Sequence, residues 1–275
     1  MRTARQEALA VLLQPRPELK AEMARALRAD GWLGEAEAMA EPAGIPGRPA
    51  QPRLVAPAGL KRRSVRTPEG RAALIHALAH IELNAIDLAA DIVWRFHGLP
   101  PLFYRQWIAI AREEALHFQL LRAHLRSLGH DYGDFPAHNG LWEMAEKTKG
   151  DLLARLALVP RTLEARGLDA SPPIRARLLE AGDAHAAGIL DIILRDEIGH
   201  VRVGNHWYRL LCAERGLDPV QAYAALAARH GAPRLRGPFN LEARRRAGFE
   251  EAELAVLAAD DGMPSTGEGS RRLPG

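Results

Sequence analysis

Two heptapeptides constrain this chain more than anything else in it: R-E-E-A-L-H-F at residues 112–118 and R-D-E-I-G-H-V at residues 195–201. Each contains Glu-x-x-His, as Glu114 with His117 and Glu197 with His200. That spacing sets both side chains on one helix face about a turn apart, where they can grip one metal ion. With 21 Glu and 11 His among 275 residues, about one such tetrad is expected by chance, so a lone copy would carry little. The residues upstream give the pair its weight. Glu82 lies 32 residues before Glu114 and Glu164 lies 33 before Glu197, and each is followed five residues later by an aspartate, Asp87 and Asp169. The chain therefore reads as two related helix pairs.

The neighbours of these glutamates supply a physical reason to expect metal. Leu78, Ala79, Ala85 and Ile86 surround Glu82; Ile110, Ala111 and Phe118 surround Glu114; Ile193, Leu194 and Val201 surround Glu197. A carboxylate buried in an apolar stripe without a partner costs several kcal/mol or takes up a proton, so gathering four requires compensating positive charge. Two divalent cations would bring the four charges to zero. One Glu from each of two helices, with Glu-x-x-His from each of the other two, is the ligand pattern of ferritin-like di-iron and di-manganese bundles. We expect Glu82, Glu114 and His117 to hold one ion and Glu164, Glu197 and His200 the other, with one or more glutamates bridging. Mixed carboxylate and imidazole donors suit Fe(II), or alternatively Mn(II), better than Zn, and six protein ligands over two metals leave positions open for O2 or peroxide.

Further groups join the candidate site with less support. An imidazole that binds metal through one nitrogen usually donates its other N–H to a carboxylate or carbonyl. Glu113 and Asp196, each four residues before a histidine of the set, are candidates for that acceptor, with Asp87 as competitor. Asp134 and His138, in the loop after the second helix, are candidates for a lid or substrate contact. His76 and His80 are not one turn from Glu82 and are expected to be packed or at the surface, and Trp207 suits core packing better than electron transfer.

At these residues, and at A-H-I-E-L-N-A-I-D-L (79–88) and Y-G-D-F-P-A-H-N-G-L-W-E (132–143), the sequence resembles a bacterial ferritin-like family of unassigned function, and more distantly a tRNA hydroxylase family. The closer resemblance covers most of the chain, from about residue 47 to about Phe249. It implies a bridged di-iron centre that activates O2, with an electron donor and a substrate to be supplied; RNA as that substrate rests on the resemblance alone.

Composition agrees with the fold class. Ala, Leu, Arg and Glu are abundant and β-branched alternation is nearly absent, which points to an all-α, ferritin-like four-helix bundle with extra N- and C-terminal helices. The single cysteine, Cys212, excludes an internal disulfide framework and suits a reducing cytoplasm. We find no signal peptide and no apolar run long enough to span a bilayer, so no membrane is expected. The net charge of +3 is concentrated in the first 70 residues, and Arg outnumbers Lys 33 to 4.

Along the chain, residues 1–66 read as two short helices (3–13 and 17–29) and a strap rich in Pro, Gly and Arg, whose cluster Lys61, Arg62, Arg63 and Arg66 is expected to fold over the bundle as a solvated arm. Residues 67–216 read as the bundle. Thr67-Pro68 starts helix 1, Gly98 stops it, Pro100-Pro101 opens helix 2 and Gly129 ends it. Two readings of 130–163 stay open: one long helix, or a crossover to 150 with a restart at Gly150-Asp151. Pro160 is expected to bend the third helix, Gly167 to stop it, and Ser171-Pro172-Pro173 to start a short helix before the fourth, 183–215. Residues 217–259 form a helical extension whose arginines, Arg234, Arg236 and Arg244 to Arg246, are expected on a solvated face. A disordered tail is expected over 260–275. The leading functional expectation is an O2-activating di-iron oxidoreductase, a monomer or dimer acting on an unknown substrate. A ferroxidase, a manganese catalase and a metal-free interaction module are the alternatives.

Overall fold

Apolar periodicity becomes four long helical rods in the computed structural model, which describes residues 2–61 and 63–261, with Asp260 and Asp261 described by backbone alone. Two short helices precede them, α1 (Ala4–Leu13) and α2 (Pro17–Arg25). α2 ends short of the expected residue 29, where Leu27 turns into the core. The rods are α3 (Pro68–Arg95), α4 (Pro101–Ser127), a composite third rod and α8 (Ala184–Glu214). The expected signals start and stop them. The Thr67 hydroxyl accepts from the Gly70 N–H at 3.1 Å, and Gly98 and Gly129 sit at φ +75° and +81° after α3 and α4; α8 has in addition a cap that sequence reasoning did not name, the Asp183 carboxylate accepting from the Ala186 N–H.

Before the third rod comes α5 (Gly140–Lys147), and Asp151 then caps a new helix. The crossover with a restart at Asp151 is therefore the reading that holds. The rod consists of α6 (Leu152–Leu158), a π-helical segment (Val159–Glu164) and α7 (Ala165–Glu180). Two expectations fail here, because the helix runs through Gly167 and through Pro172 and Pro173. Pro172 leaves the Leu168 carbonyl without its helical donor. The Asn240 amide supplies one at 3.2 Å, so that gap is filled by a side chain from outside the rod.

Contact pairs give the register. Glu113 with His200, His117 with Asp196 and Gln106 with Trp207 show α4 antiparallel to α8. Asp91 with Arg155 and Arg71 with Ala181 show α3 antiparallel to the third rod, and Glu82 with His117 together with Phe96 with Tyr104 show it antiparallel to α4. α4 and the third rod therefore run the same way, up-down-down-up in chain order. A connection between parallel rods must return along the bundle, which the segment 128–151 does. Ile86, Phe118, Leu156 and Tyr208 lie in the common core, each worth about 1.5–3 kcal/mol of burial.

The extensions pack onto this bundle. Buried Arg5 of α1 donates to the Val93 and Trp94 carbonyls, free acceptors in the last turn of α3. The strap lies over the bundle, pairing Val55 N–H with the Ala137 carbonyl at 2.8 Å. Arg63 packs on the Phe135 ring; Arg62 lies outside the described residues. The C-terminal helices are α9 (Pro219–His230), α10 (Leu241–Arg246) and α11 (Glu251–Asp261). The expected solvated arginine face is corrected at Arg244, which is fully buried against Asp169 at 2.6 Å. The tail expected over 260–275 lies, from 262 on, outside the described residues. One further correction concerns α3: by length and composition it is apolar enough to cross a membrane, yet 72% of its most apolar window is buried by its neighbours. Among the described residues no other helix meets that test.

Candidate metal centre

Three rods deliver a carboxylate to one buried cluster, Glu82 from α3, Glu114 from α4 and Glu197 from α8, while Glu164, at the end of the π segment, is half-buried with only its Oε2 shut off from solvent and stands outside that cluster. Glu82, Glu114, His117, Glu197 and His200 are all buried. Oxygens of Glu82, Glu114 and Glu197 and a nitrogen of His117 all lie within 4.8 Å of one another, a spacing able to hold a metal ion. His117 Nδ1 lies 3.2 Å from Glu82 Oε2 and 3.4 Å from Glu114 Oε2. His200 Nδ1 lies 2.9 Å from Glu114 Oε1 and 3.5 Å from Glu197 Oε1. Glu114 thus sits between the two histidines, one oxygen toward each.

The outer nitrogens are held crosswise. His117 Nε2 meets Asp196 Oδ2 of α8 at 3.1 Å, and His200 Nε2 meets Glu113 Oε2 of α4 at 2.7 Å. Each acid serves the histidine of the opposite helix, because the antiparallel register of α4 and α8 sets residues 113 and 117 level with 200 and 196. Glu113 and Asp196 each face a histidine, but not the one four residues further along their own helix. Asp87 is not a third: it is buried against Lys20 of α2, on another face of α3.

The donor set fits a metal by its unmet atoms. Glu164 Oε2 and Glu197 Oε2 are out of contact with solvent and have no hydrogen-bond partner, and Glu114 Oε1 and His200 Nδ1, equally enclosed, face one another at 2.9 Å without hydrogen-bond alignment. Buried polar atoms in that condition are rare and call for an ion or a proton. The electrostatics favour protons in that role. Burial, reinforced by Glu114, raises Glu82 well above the usual carboxylate range, and burial with Glu197 and Glu114 does the same to Glu164. Burial and Glu114 also raise Glu197. Burial pushes Glu114 up as well, but His200 and His117 outweigh it and hold its carboxyl well below the ordinary range. Burial opposes a charge on His117, yet Glu114 and Glu82 raise it to about 11, and Glu114 and Glu197 lift His200 well above its usual value. Protons here do the neutralising that a cation does in a metal site.

Outside the histidines a cleft of about 450 Å³ is lined by Glu113, Arg195, Asp196, Gly199, Arg202 and Arg246. The other candidates lie elsewhere. The His138 carbonyl meets His80 Nε2 at 3.0 Å, while exposed Asp134 accepts from the Asp131 N–H at 2.9 Å, closing its own turn. His76 and His80 pack with Tyr132, and Trp207 packs edge-on to Phe103. Sequence reasoning missed the Asp87–Lys20 and Asp169–Arg244 pairs. The signal was the repeated aspartate five residues after each helix glutamate, whose partners stand 67 and 75 residues away.

The profile of a protein family described as "Protein of unknown function (DUF455)" matches residues 13–255. An uncharacterized protein of Haemophilus influenzae is 49% identical over 213 residues, covering 75% of this chain and 74% of that protein. No solved structure matches.

Proposed function

This chain belongs to the DUF455 family, whose description carries no activity, and we propose that it is a ferritin-like di-metal protein, an O2-activating oxidoreductase using two iron or alternatively two manganese ions. The observation behind this reading is the convergence of buried carboxylates on two histidines, with Glu164 Oε2 and Glu197 Oε2 shut off from solvent and meeting no hydrogen-bond donor. Glu82, Glu114 and His117 would hold one ion and Glu164, Glu197 and His200 the other. Glu114, with an oxygen toward each histidine, is the natural bridge.

Bound iron would supply redox chemistry toward O2 or peroxide. The chain's own contribution is positional. Asp196 and Glu113 accept hydrogen bonds from the Nε2–H groups of the histidines, which would fix the tautomer that leaves Nδ1 free to ligate. Trp107, Phe118 and Leu121 belong to the core that keeps water from the bundle interior. An organic substrate and an electron donor complete the reaction.

The competing reading is a metal-free bundle, favoured by His117, which finds a carboxylate for both its nitrogens. Anaerobic Fe(II) reconstitution followed by metal analysis separates the two. We expect two ions per chain, strong loss of loading in Glu114→Gln and His200→Gln, and O2 uptake by the loaded protein with a reductant. Metal content near zero in the reconstituted wild type would overturn the site.

A further inference from the structure

A second built site lies apart from the candidate metal centre, where the C-terminal helices close over the π segment. α9, α11 and the loop between α9 and α10 enclose a cavity of about 50 Å³ walled by Tyr223, Leu235, Phe249 and Leu257. That is room for a ligand of a few heavy atoms. Two arginines also line it, Arg161 of the π segment and Arg244 of α10, 3% and 0% exposed.

Both arginines are tied down and incompletely satisfied. Arg161 donates from Nε to Asn205 Oδ1 at 2.6 Å and pairs through Nη2 with Glu253. Arg244 grips Asp169 through Nε at 3.0 Å and Nη2 at 2.6 Å. Each has an Nη1 shut off from solvent that meets no acceptor. Aromatic rings cover the guanidinium planes, Tyr208 at 4.2 Å from Arg161 and Phe249 within 5.2 Å of both. The two charges are matched, Arg161 by Glu253 and Arg244 by Asp169, and Glu253 also lines the cavity.

We propose that this cavity binds a small organic monoanion, a carboxylate carrying a short apolar tail. Its oxygens would serve the unmet guanidinium N–H groups, whose planar donor geometry matches a carboxylate. Its tail would lie against Tyr223, Leu235 and Leu257. With Arg161 and Arg244 each already paired to an acid, little charge is left over for a phosphate dianion, and Glu253, the carboxylate that lines the cavity, is held by Arg161 and so is a poor partner for an amine. Arg161 precedes Glu164 by three residues on the same segment, so occupancy of this cavity bears on the segment that carries one of the metal-site carboxylates. The site itself needs no metal.

Titration of the full-length, metal-free chain with butyrate, followed by calorimetry and saturation-transfer NMR, tests this. We expect one saturable site with Kd on the order of 0.1–1 mM, as suits a ligand of six heavy atoms. Butylamine and inorganic phosphate should bind at least about tenfold more weakly. Leu257→Trp, which fills the cavity from a partly exposed position, should weaken butyrate about tenfold or more while the helical circular-dichroism signal is kept. Arg161→Met should do the same if it folds; Leu257→Trp carries the test if it does not. No saturable butyrate binding, equal binding of butylamine, or an unchanged Kd in Leu257→Trp would each overturn the proposal.

Discussion

Asp196 and Glu113 do for the histidines what no residue on the histidines' own helix does, since each accepts at the outer nitrogen of an imidazole on the facing rod. Their effect on metal should be unequal. The Asp196 side chain is 12% exposed and that of Glu113 47%, so water can replace Glu113 more readily. We expect Asp196→Asn to weaken metal binding toward the upper part of the usual 10- to 100-fold range for such partners and Glu113→Gln toward the lower part. Competition against a chromophoric chelator measures both. Equal affinity in wild type and Asp196→Asn would show that the contact does not orient the ring. The arginine beside Asp196, Arg195, is a surface partner at 2.8 Å and contributes little by itself.

The π segment is the element on which the third rod turns. Pro160 cannot donate into the helical ladder, and the widened turn that results is bounded by Thr162, whose hydroxyl donates to the Ala157 carbonyl at 2.8 Å. α8 makes room for it with Gly204, where an added Cβ would stand 2.6 Å from Pro160 Cβ. Gly204→Ala should therefore destabilise the fold by about 1–3 kcal/mol through overpacking. Urea unfolding checks it, and Gly188→Ala, with open space around its Cβ, is the control. The two repeated aspartates act as clips for opposite ends of the chain, Asp87 holding Lys20 of α2 and Asp169 holding Arg244 of α10. Breaking a buried pair leaves a bare charge. Asp87→Ala should cost about 3–5 kcal/mol, whereas the double change Lys20→Met with Asp87→Leu should recover most of it. A double variant no more stable than the single one would refute the pairing argument.

At the scale of the whole molecule, acid should unfold the chain partly through His76. Burial lowers its pKa from 6.5 to about 4, with Asp134 opposing and His130 assisting. The folded state keeps it neutral while the unfolded chain protonates it below 6.5, so its contribution is present above that pH and is lost as pH falls through about 4, up to about 3 kcal/mol. His76→Gln retains an acceptor for the Gly133 N–H. It should reduce the difference in urea midpoint between pH 7 and pH 4.5; an undiminished difference would place the acid sensitivity elsewhere. Much of this molecule was legible in one dimension. Apolar spacing, the Thr67 cap and the glycines at 98 and 129 are local, so they determined the rods α3 and α4, and the doubled Glu-x-x-His with Glu82 pointed to Glu82, Glu114, His117 and Glu197, which lie together in the structure. Three things were decided only by tertiary packing. Which acid serves which histidine depends on the register of α4 against α8. Whether Gly167 and Pro172 end a helix depends on Asn240, 68 residues beyond Pro172 in sequence, reaching back to the Leu168 carbonyl. Whether Asp87 and Arg244 are surface or core depends on where the extensions land. In each case the deciding partner is distant along the chain and near in space, and periodicity carries no information about such partners.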